Sequence, residues 1–373
     1  MPDLEHMQAA LTLAQRGLGN VWPNPAVGCV LVKDGHVVGR GWTQPGGRPH
    51  AEVEALRRAG ERARGATAYV TLEPCCHWGK TPPCTDAFIA ARIARAVVAL
   101  RDPDPRVNGE GLMRLKSAGI AVEEGLCGAE AAHLNAGFIR RMTERLPLVT
   151  LKLATTLDGR IAARSGETRW ITGEVARKQV HLQRARHDAV MVGSGTVLAD
   201  DPDLTCRIPG LVPARADGPS PSFTGPVRVV VDGRLRIPLT SRLVATARAH
   251  PTWLVTLEGA DRPRLRAMED AGVTVLTVRP DAARRPDMHE ALAALAGRGI
   301  TRVLAEGGAT LAATLLKANL VDRLAWFHAG TVMGADGRAA VEAFGDGRLA
   351  ALVRFRRVGQ HPVGADTLTL LER

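Results

Sequence analysis

The chain has 373 residues, 45% of them apolar and 23% charged, with a net charge of +11; this composition excludes wholesale disorder and makes two domains the natural expectation. The basic balance points to nucleic acid, a membrane surface or a phosphorylated substrate, yet one Tyr and six Phe supply a base-stacking platform poorly. No apolar run reaches the roughly 18 residues of a membrane span, and the acidic Met1-Pro2-Asp3-Leu4-Glu5-His6 start lacks the basic-then-apolar pattern of a secretory signal.

In chain order, Ala26 to Trp42 reads as a hairpin around Asp34-Gly35, a strong two-residue turn signal. A helix follows from His50 to about Ala63, with Val53, Leu56 and Ala59 at helical spacing. Ala68 to Leu72 reads as a strand running into Glu73-Pro74-Cys75. Pro82-Pro83-Cys84 then opens a helix from Thr85 to about Arg95, and Val97 to Arg101 is a further strand. The charged stretch Arg140 to Pro147 marks a boundary, beyond which strand and helix alternation restarts.

The strands expected there are Leu148–Ala154, Ala189–Gly193, Val227–Asp232, Thr252–Leu257, Val273–Val278, Arg302–Glu306 and Arg323–His328. Ala351 to Leu371 reads as a closing hairpin around His361–Ala365. The Pro-, Gly- and Ser-rich stretch Pro209 to Pro226 reads as a surface loop inside the second domain. The sequence thus describes two α/β domains, residues 1–145 and 146–373.

Of six cysteines, Cys75, Cys76 and Cys84 crowd into ten residues, which points to metal binding in a reducing, cytoplasmic setting rather than to a disulfide scaffold. His50-Ala51-Glu52 at a helix start and Pro74-Cys75 after a strand match the H-x-E…P-C pattern of zinc-dependent deaminases. Three ligands leave a fourth tetrahedral position for water, which zinc acidifies toward neutral pH. Glu52, two residues after the histidine, is the proton carrier rather than a ligand. The spacing is Cys75-x8-Cys84 instead of C-x-x-C. Adjacent residues seldom direct both side chains to one tetrahedral ion, so Cys84 is a better third ligand than Cys76.

The segment PCCHWGKTPPC, with HAE before it and DPDP after it, resembles the deaminase half of the bifunctional riboflavin-biosynthesis family. That family joins a diaminohydroxyphosphoribosylaminopyrimidine deaminase to a 5-amino-6-(5-phosphoribosylamino)uracil reductase. The resemblance implies a cytidine-deaminase-like three-layer α/β/α domain, with zinc on His50, Cys75 and Cys84 and Glu52 as proton shuttle. It further implies Asn24 against the pyrimidine, and His77, Lys80 and Asp102 against the pyrimidine or the ribose phosphate. The family commonly shows Asp-Pro-Asn-Pro where this chain has Asp102-Pro103-Asp104-Pro105. An added carboxylate repels a phosphate, which argues against a substrate role for Asp104.

Farther along lie Lys152–Arg160 (KLATTLDGR), Trp170–Gly173, Val192–Pro202 (VGSGTVLADDP) and Leu304–Thr310 (LAEGGAT). Glycines at a strand end before a helix let backbone N–H groups approach a phosphate, although none of these is the G-x-G-x-x-G fingerprint. Together they resemble the family's reductase half, whose fold is dihydrofolate-reductase-like α/β. That resemblance implies an NADPH site lined by Ala154, Trp170, Thr196, Asp200 and the run from Gly308. It implies a ribosyl-phosphate site lined by Thr168, Arg184, Leu204, Arg207 and Glu306. The reaction implied is hydride transfer from NADPH to C1′ of the opened ribose, with Lys152, Asp200 and Glu306 as candidates for handling the proton.

A homo-oligomer is also implied by the resemblance, with a small phosphorylated pyrimidine as substrate and neither nucleic acid nor membrane as partner. A nucleic-acid deaminase would cluster Lys, Arg and aromatics near the zinc, whereas here arginines are spread along the chain. A deaminase with a non-catalytic second domain is the remaining alternative, and NADPH binding separates the two.

Overall fold

The first helix, α1 (Pro2–Ala14), starts with proline and sets Asp3 and Glu5 beside the positive end of its dipole. This computed structural model describes residues 2–165, 171–208, 214–215, 218–219, 225–345, 347–348 and 352–373. After α1, the chain makes a hairpin of β1 (Gly28–Lys33) and β2 (His36–Trp42), with Asp34 and Gly35 both at positive φ as a two-residue turn requires. Next come α2 (Ala51–Ala59), β3 (Thr67–Val70), α3 (Cys84–Ala90), β4 (Arg95–Val98), α4 (Glu110–Ser117), β5 (Ala121–Glu124), α5 (Gly128–Leu134) and α6 (Ala136–Glu144).

The five strands form one mixed sheet in the order β2-β1-β3-β4-β5, antiparallel through β3 and parallel beyond it. Alternate residues of the inner strands point to opposite faces, and both faces are covered. Cys29, Leu31, Val70 and Val98 pack with Ala51 and Ala55 of α2, Phe88 of α3, Leu115 of α4 and Phe138 of α6. Val30, Tyr69 and Val97 pack with Met7 and Ala10 of α1 and Leu134 of α5. The result is the three-layer α/β/α arrangement.

Several boundaries differ from the sequence reading. The helix expected to reach Arg95 ends at Ala90, because Arg92 turns to φ 53° and the Ile93 N–H donates to the Phe88 carbonyl at 3.2 Å. Such a left-handed closure satisfies the last carbonyls and stops the helix. The next strand therefore begins at Arg95 instead of Val97, and β3 ends at Val70 instead of Leu72.

From Leu148 the elements are β6 (Leu148–Thr155), β7 (Arg160–Ala162), α7 (Glu174–Ala185), β8 (Ala189–Gly193), α8 (Ser194–Asp200), β9 (Ala214–Arg215), β10 (Gly218–Pro219), β11 (Val227–Val231), α9 (Arg242–Ala245), β12 (Thr252–Leu257), α10 (Arg262–Asp270), β13 (Thr274–Val278), α11 (Met288–Gly297), β14 (Arg302–Ala305), α12 (Ala309–Lys317), β15 (Arg323–His328), β16 (Arg338–Ala339), β17 (Arg356–Val363) and β18 (Asp366–Glu372). Nine of them form a sheet in the order β13-β12-β11-β8-β14-β6-β15-β18-β17, parallel as far as β15 and antiparallel at its last two pairings. The mostly apolar strands β8, β11 and β14 are buried almost throughout, as central parallel strands are. Edge strand β17 instead exposes Arg356, Arg357 and His361, and carries Pro362. The closing hairpin begins at Arg356 and turns at Gly364-Ala365, later than the sequence suggests.

Internal contacts group the chain into two units, Met1–Arg145 with Pro213–Phe223, and Leu146–Val212 with Thr224–Arg373.

Candidate functional site

In the first unit, α2 is seated directly on β2. A Cβ at Gly39 would lie 2.4 Å from the Ala55 carbonyl oxygen, and one at Gly41 would lie 2.1 Å from that of Ala51. Only glycine allows that approach. The close seating fixes the start of α2, where His50 is the N-cap and Glu52 points into the interior at 4% exposure. Proline-led α3 begins at Cys84, and the Thr85 N–H and hydroxyl both reach the Cys75 carbonyl, at 3.2 and 3.3 Å.

These starts bring three ligand atoms together. Among the described residues, His50, Cys75 and Cys84 form the group able to hold a metal ion, their donor atoms all within 4.8 Å of one another. His50 Nδ1 lies 3.3 Å from Cys84 Sγ and 3.7 Å from Cys75 Sγ. The Cys84 N–H donates to Cys75 Sγ at 3.3 Å. Hydrogen bonds from the Cys84 thiol and the His50 ring hold Cys75 well below the usual thiol range, against the upward push of burial. Two thiolates and an imidazole are a zinc donor set, and with three protein ligands the fourth position is open, so the residues fit a catalytic zinc. Cys76 turns away, its Sγ donating to the Arg106 carbonyl at 3.6 Å. Burial raises the Glu52 carboxyl, partly offset by the His50 charge, which suits a group that must carry a proton.

Asn24 is fixed by its Nδ2, which donates to the Gly47 carbonyl at 2.7 Å. Among the described residues His77 Nδ1, which is buried, has no hydrogen-bond partner, while Lys80 is exposed on the same loop. Asp102 is buried, and burial pushes its carboxyl up to about 7, with the Asp104, Glu73 and Cys75 charges adding to the rise. Asp104 is neutralised at close range by Arg106, whose Nη2 donates to Oδ2 at 2.6 Å.

Glu73 escaped the sequence reading. Its buried carboxylate accepts the N–H groups of Asp102 at 3.1 Å, Gly109 and Gly111 at 2.9 Å and Leu112 at 3.2 Å. It caps α4 from outside and anchors the chain one step before Pro74-Cys75. The available signal was a lone acidic residue at the end of an apolar strand.

In the second unit, the carboxyl ends of adjacent parallel strands β8, β14 and β6 lie side by side, the usual ligand position in such a sheet. Lys152 and Ala154 point to the same, partly open side of β6. Arg184, at the end of α7, meets Glu306 just beyond β14, with Nε to Oε1 at 2.6 Å and Nη2 to Oε2 at 3.0 Å; Lys152 Nζ lies 3.6 Å from Oε2. Burial pushes the Glu306 carboxyl up, but Arg184 and then Lys152 outweigh this and hold it at about 2. Arg184 also donates to the Thr205 carbonyl at 3.0 Å, fixing the segment that carries Leu204 and Arg207. Leu204 is buried at positive φ, and the exposed Arg207 pairs with Asp203 at 3.0 Å.

Gly308 is the N-cap of α12, and its N–H donates to Thr196 Oγ1 of α8 at 3.2 Å. Nothing lies within 4 Å of where a Cβ would stand on Gly193 or Gly195, so glycine leaves a backbone cradle open there. Open glycines beside the N-terminus of α12 fit the phosphates of a dinucleotide. Asp200 lies exposed at the end of α8. Thr168 and Trp170 fall outside the described residues.

A profile of the cytidine and deoxycytidylate deaminase zinc-binding region matches residues 1–100, and one of the RibD C-terminal domain matches residues 147–369. The chain is 44% identical over 371 residues to the riboflavin biosynthesis protein RibD of Escherichia coli (strain K12), with 98% of each chain covered. It is 41% identical over 332 residues to the protein of the same name from Aquifex aeolicus, covering 89% of this chain and 88% of that one. Among solved structures, Acinetobacter baumannii RibD, form 1, matches with a TM-score of 0.88 and 40% identity, covering 100% of this chain and 98% of that one. A Thermotoga maritima diaminohydroxyphosphoribosylaminopyrimidine deaminase/5-amino-6-(5-phosphoribosylamino)uracil reductase matches with a TM-score of 0.83 and 33% identity, over the same shares of the two chains.

Proposed function

The chain belongs to the RibD family of bifunctional riboflavin biosynthesis proteins, and from that premise we propose which of its residues perform the two reactions. The enzyme deaminates 2,5-diamino-6-(5-phosphoribosylamino)pyrimidin-4(3H)-one by zinc-dependent hydrolysis. It then uses NADPH to reduce the ribosyl group of 5-amino-6-(5-phosphoribosylamino)uracil to ribityl.

The convergence of His50, Cys75 and Cys84 beside a buried Glu52 carries the first half of the proposal. Those three residues hold zinc, which when bound supplies Lewis-acid activation of water. Glu52 accepts the proton of the attacking water at its carboxylate and delivers it to the departing amine, so the C–N bond breaks with ammonia leaving. Its burial keeps the proton from bulk water. Asn24, His77, Lys80 and Asp102 hold the pyrimidine and the ribose phosphate. The neutralised Asp104 stays outside the contact set.

For reduction, NADPH bound along Ala154, Trp170, Thr196, Asp200 and Gly308 supplies the hydride. Arg184, Glu306 and Leu204 bind and orient the opened ribose, with Thr168 as a further substrate contact. Arg207 presents a guanidinium fork to the phosphate. Lys152 carries a proton at Nζ close to the Glu306 carboxylate and hands it to the substrate as the hydride arrives. We place the division between the two activities at 145/146.

We also propose a homo-oligomer in the cytoplasm. The oligomer rests on the family resemblance, and light scattering on purified protein tests it. The compartment is supported by six free cysteines, since disulfides are rare in reducing surroundings. No helix of the described residues is long and apolar enough to cross a membrane.

One assay tests the two activities together, following ammonia release and NADPH oxidation on the diaminopyrimidine ribosyl phosphate. A zinc chelator should stop the first, and added deaminated intermediate should restore the second. Ammonia release with NADPH untouched even after that addition would reduce the second unit to a passenger.

A further inference from the structure

Arg48 is half-buried two residues before His50, on the loop that leads into α2. Its guanidinium donates to Thr81 Oγ1, and its Nη2 lies 3.4 Å from the position a Cβ would take on Gly79. The side chain thus lies along the Gly79–Thr81 segment, which carries Lys80 between its two contacts. Among the described residues, neither Arg48 nor Lys80 has a carboxylate partner. Several other arginines of this unit do: Arg57 and Arg58 hold Glu54, Arg95 holds Asp3 and Glu123, and Arg106 holds Asp104. Farther along the same loop, His77 has a buried ring nitrogen that no described residue satisfies.

The guanidinium is open to solvent, its bond to Thr81 being an exposed one, so an anion can reach it. A buried imidazole nitrogen without a partner is costly. An anion that is not part of the protein, bound at this loop, pairs the guanidinium and accepts from the His77 ring. Arg48 is suited to that task because its planar fork matches phosphate oxygens, and the single hydrogen bond to Thr81 leaves its other N–H groups available. Arg106 is not, because Asp104 already neutralises it.

We infer that Arg48 is a phosphate-binding residue of the deaminase half, completing with Lys80 and His77 an anion subsite at the entrance to the metal centre. The inference rests on the assignment of that centre to deamination and adds to it a residue that selects phosphorylated substrates. The guanidinium holds the 5′-phosphate of the substrate, while His50, Cys75, Cys84 and Glu52 act at the amino group to be lost. The phosphate end therefore sets how well the substrate binds.

The test uses the full-length, zinc-loaded protein and reads ammonia release. Arg48→Ala, Arg48→Lys and Thr81→Val are compared for KM of the phosphorylated substrate and for competitive inhibition by ribose 5-phosphate and by the dephosphorylated riboside. Arg48→Ala should raise KM about tenfold or more, the usual scale for losing a charge-assisted hydrogen bond. It should weaken ribose 5-phosphate far more than the riboside, and Arg48→Lys should recover part of the loss. Zinc content at the parent level reports that the first unit of each variant is folded, and NADPH oxidation on added deaminated intermediate reports the same of the second. Equal weakening of both inhibitors, the same loss in Thr81→Val, or no change in Arg48→Ala would each overturn the inference, the first two by making Arg48 a pin between loops. Failure of the metal-centre assignment shows separately, as ammonia release that survives Glu52→Gln.

Discussion

Glu306 is gripped by Arg184 at both carboxylate oxygens, at 2.6 and 3.0 Å, with side-chain exposures of only 6% and 12%. Removing one partner of a buried pair typically costs about 3–5 kcal/mol. Arg184→Met should destabilise the second unit in urea at pH 7 by less than that, because Lys152 Nζ stays 3.6 Å from the Glu306 carboxylate, while Arg184→Met with Glu306→Leu should recover part of the loss. The Glu306 carboxyl is held at about 2 against an ordinary 4.5. Its contribution is thus fully present above pH 4.5 and lost as pH falls through 2. The penalty of Arg184→Met should shrink when unfolding is repeated below pH 4.5, and a penalty that grows there would contradict the assignment.

Glu52→Gln keeps the shape of the side chain and removes its ability to accept a proton. Deamination should fall by about 10²–10⁴-fold, with zinc content by atomic absorption at the parent level. Reduction of supplied intermediate should continue. Deamination at the parent rate would remove Glu52 from the reaction.

The two neighbouring cysteines should behave differently. Cys84→Ser loses a ligand whose Sγ lies 3.3 Å from His50 Nδ1 and should release zinc at chelator concentrations the parent tolerates. Cys76→Ser exchanges a thiol that donates to the Arg106 carbonyl, away from the metal ligands, and should keep both zinc and ammonia release. The reverse pattern would move the third ligand to Cys76.

Arg207 projects from the segment that Arg184 fixes, and its guanidinium is largely exposed. Arg207→Ala should raise KM for reduction about tenfold, the scale of one lost charge-assisted bond to phosphate. Deamination kinetics should not follow. Equal losses in both reactions would argue against separate phosphate contacts in the two halves.

Much of this was readable before the structure, where local chemistry forces one outcome. Asp34-Gly35 dictates a turn, and a proline-led helix start places Cys84 where Cys76 cannot reach. Lys152, Arg184 and Glu306 were legible only through resemblance. They are far apart in sequence and meet because β6 and β14 are neighbours and α7 ends nearby. The helix end at Ala90 was missed because a non-glycine residue, Arg92, takes the left-handed conformation. Glu73 was missed because its partners are backbone N–H groups, which side-chain patterns do not reveal.

Gly39 and Gly41 have a consequence for how the metal centre tolerates change. At these two positions helix backbone rests on strand backbone, with no side chain between them to absorb a shift. A methyl at either position would displace α2 as a rigid lever and carry His50 and Glu52 with it. Their mutual spacing would survive, while their distance to Cys75 and Cys84, which ride on other elements, would not. Metal retention is then the first function to fail and proton transfer the second, so graded damage at this seam would separate two properties that the intact enzyme always shows together.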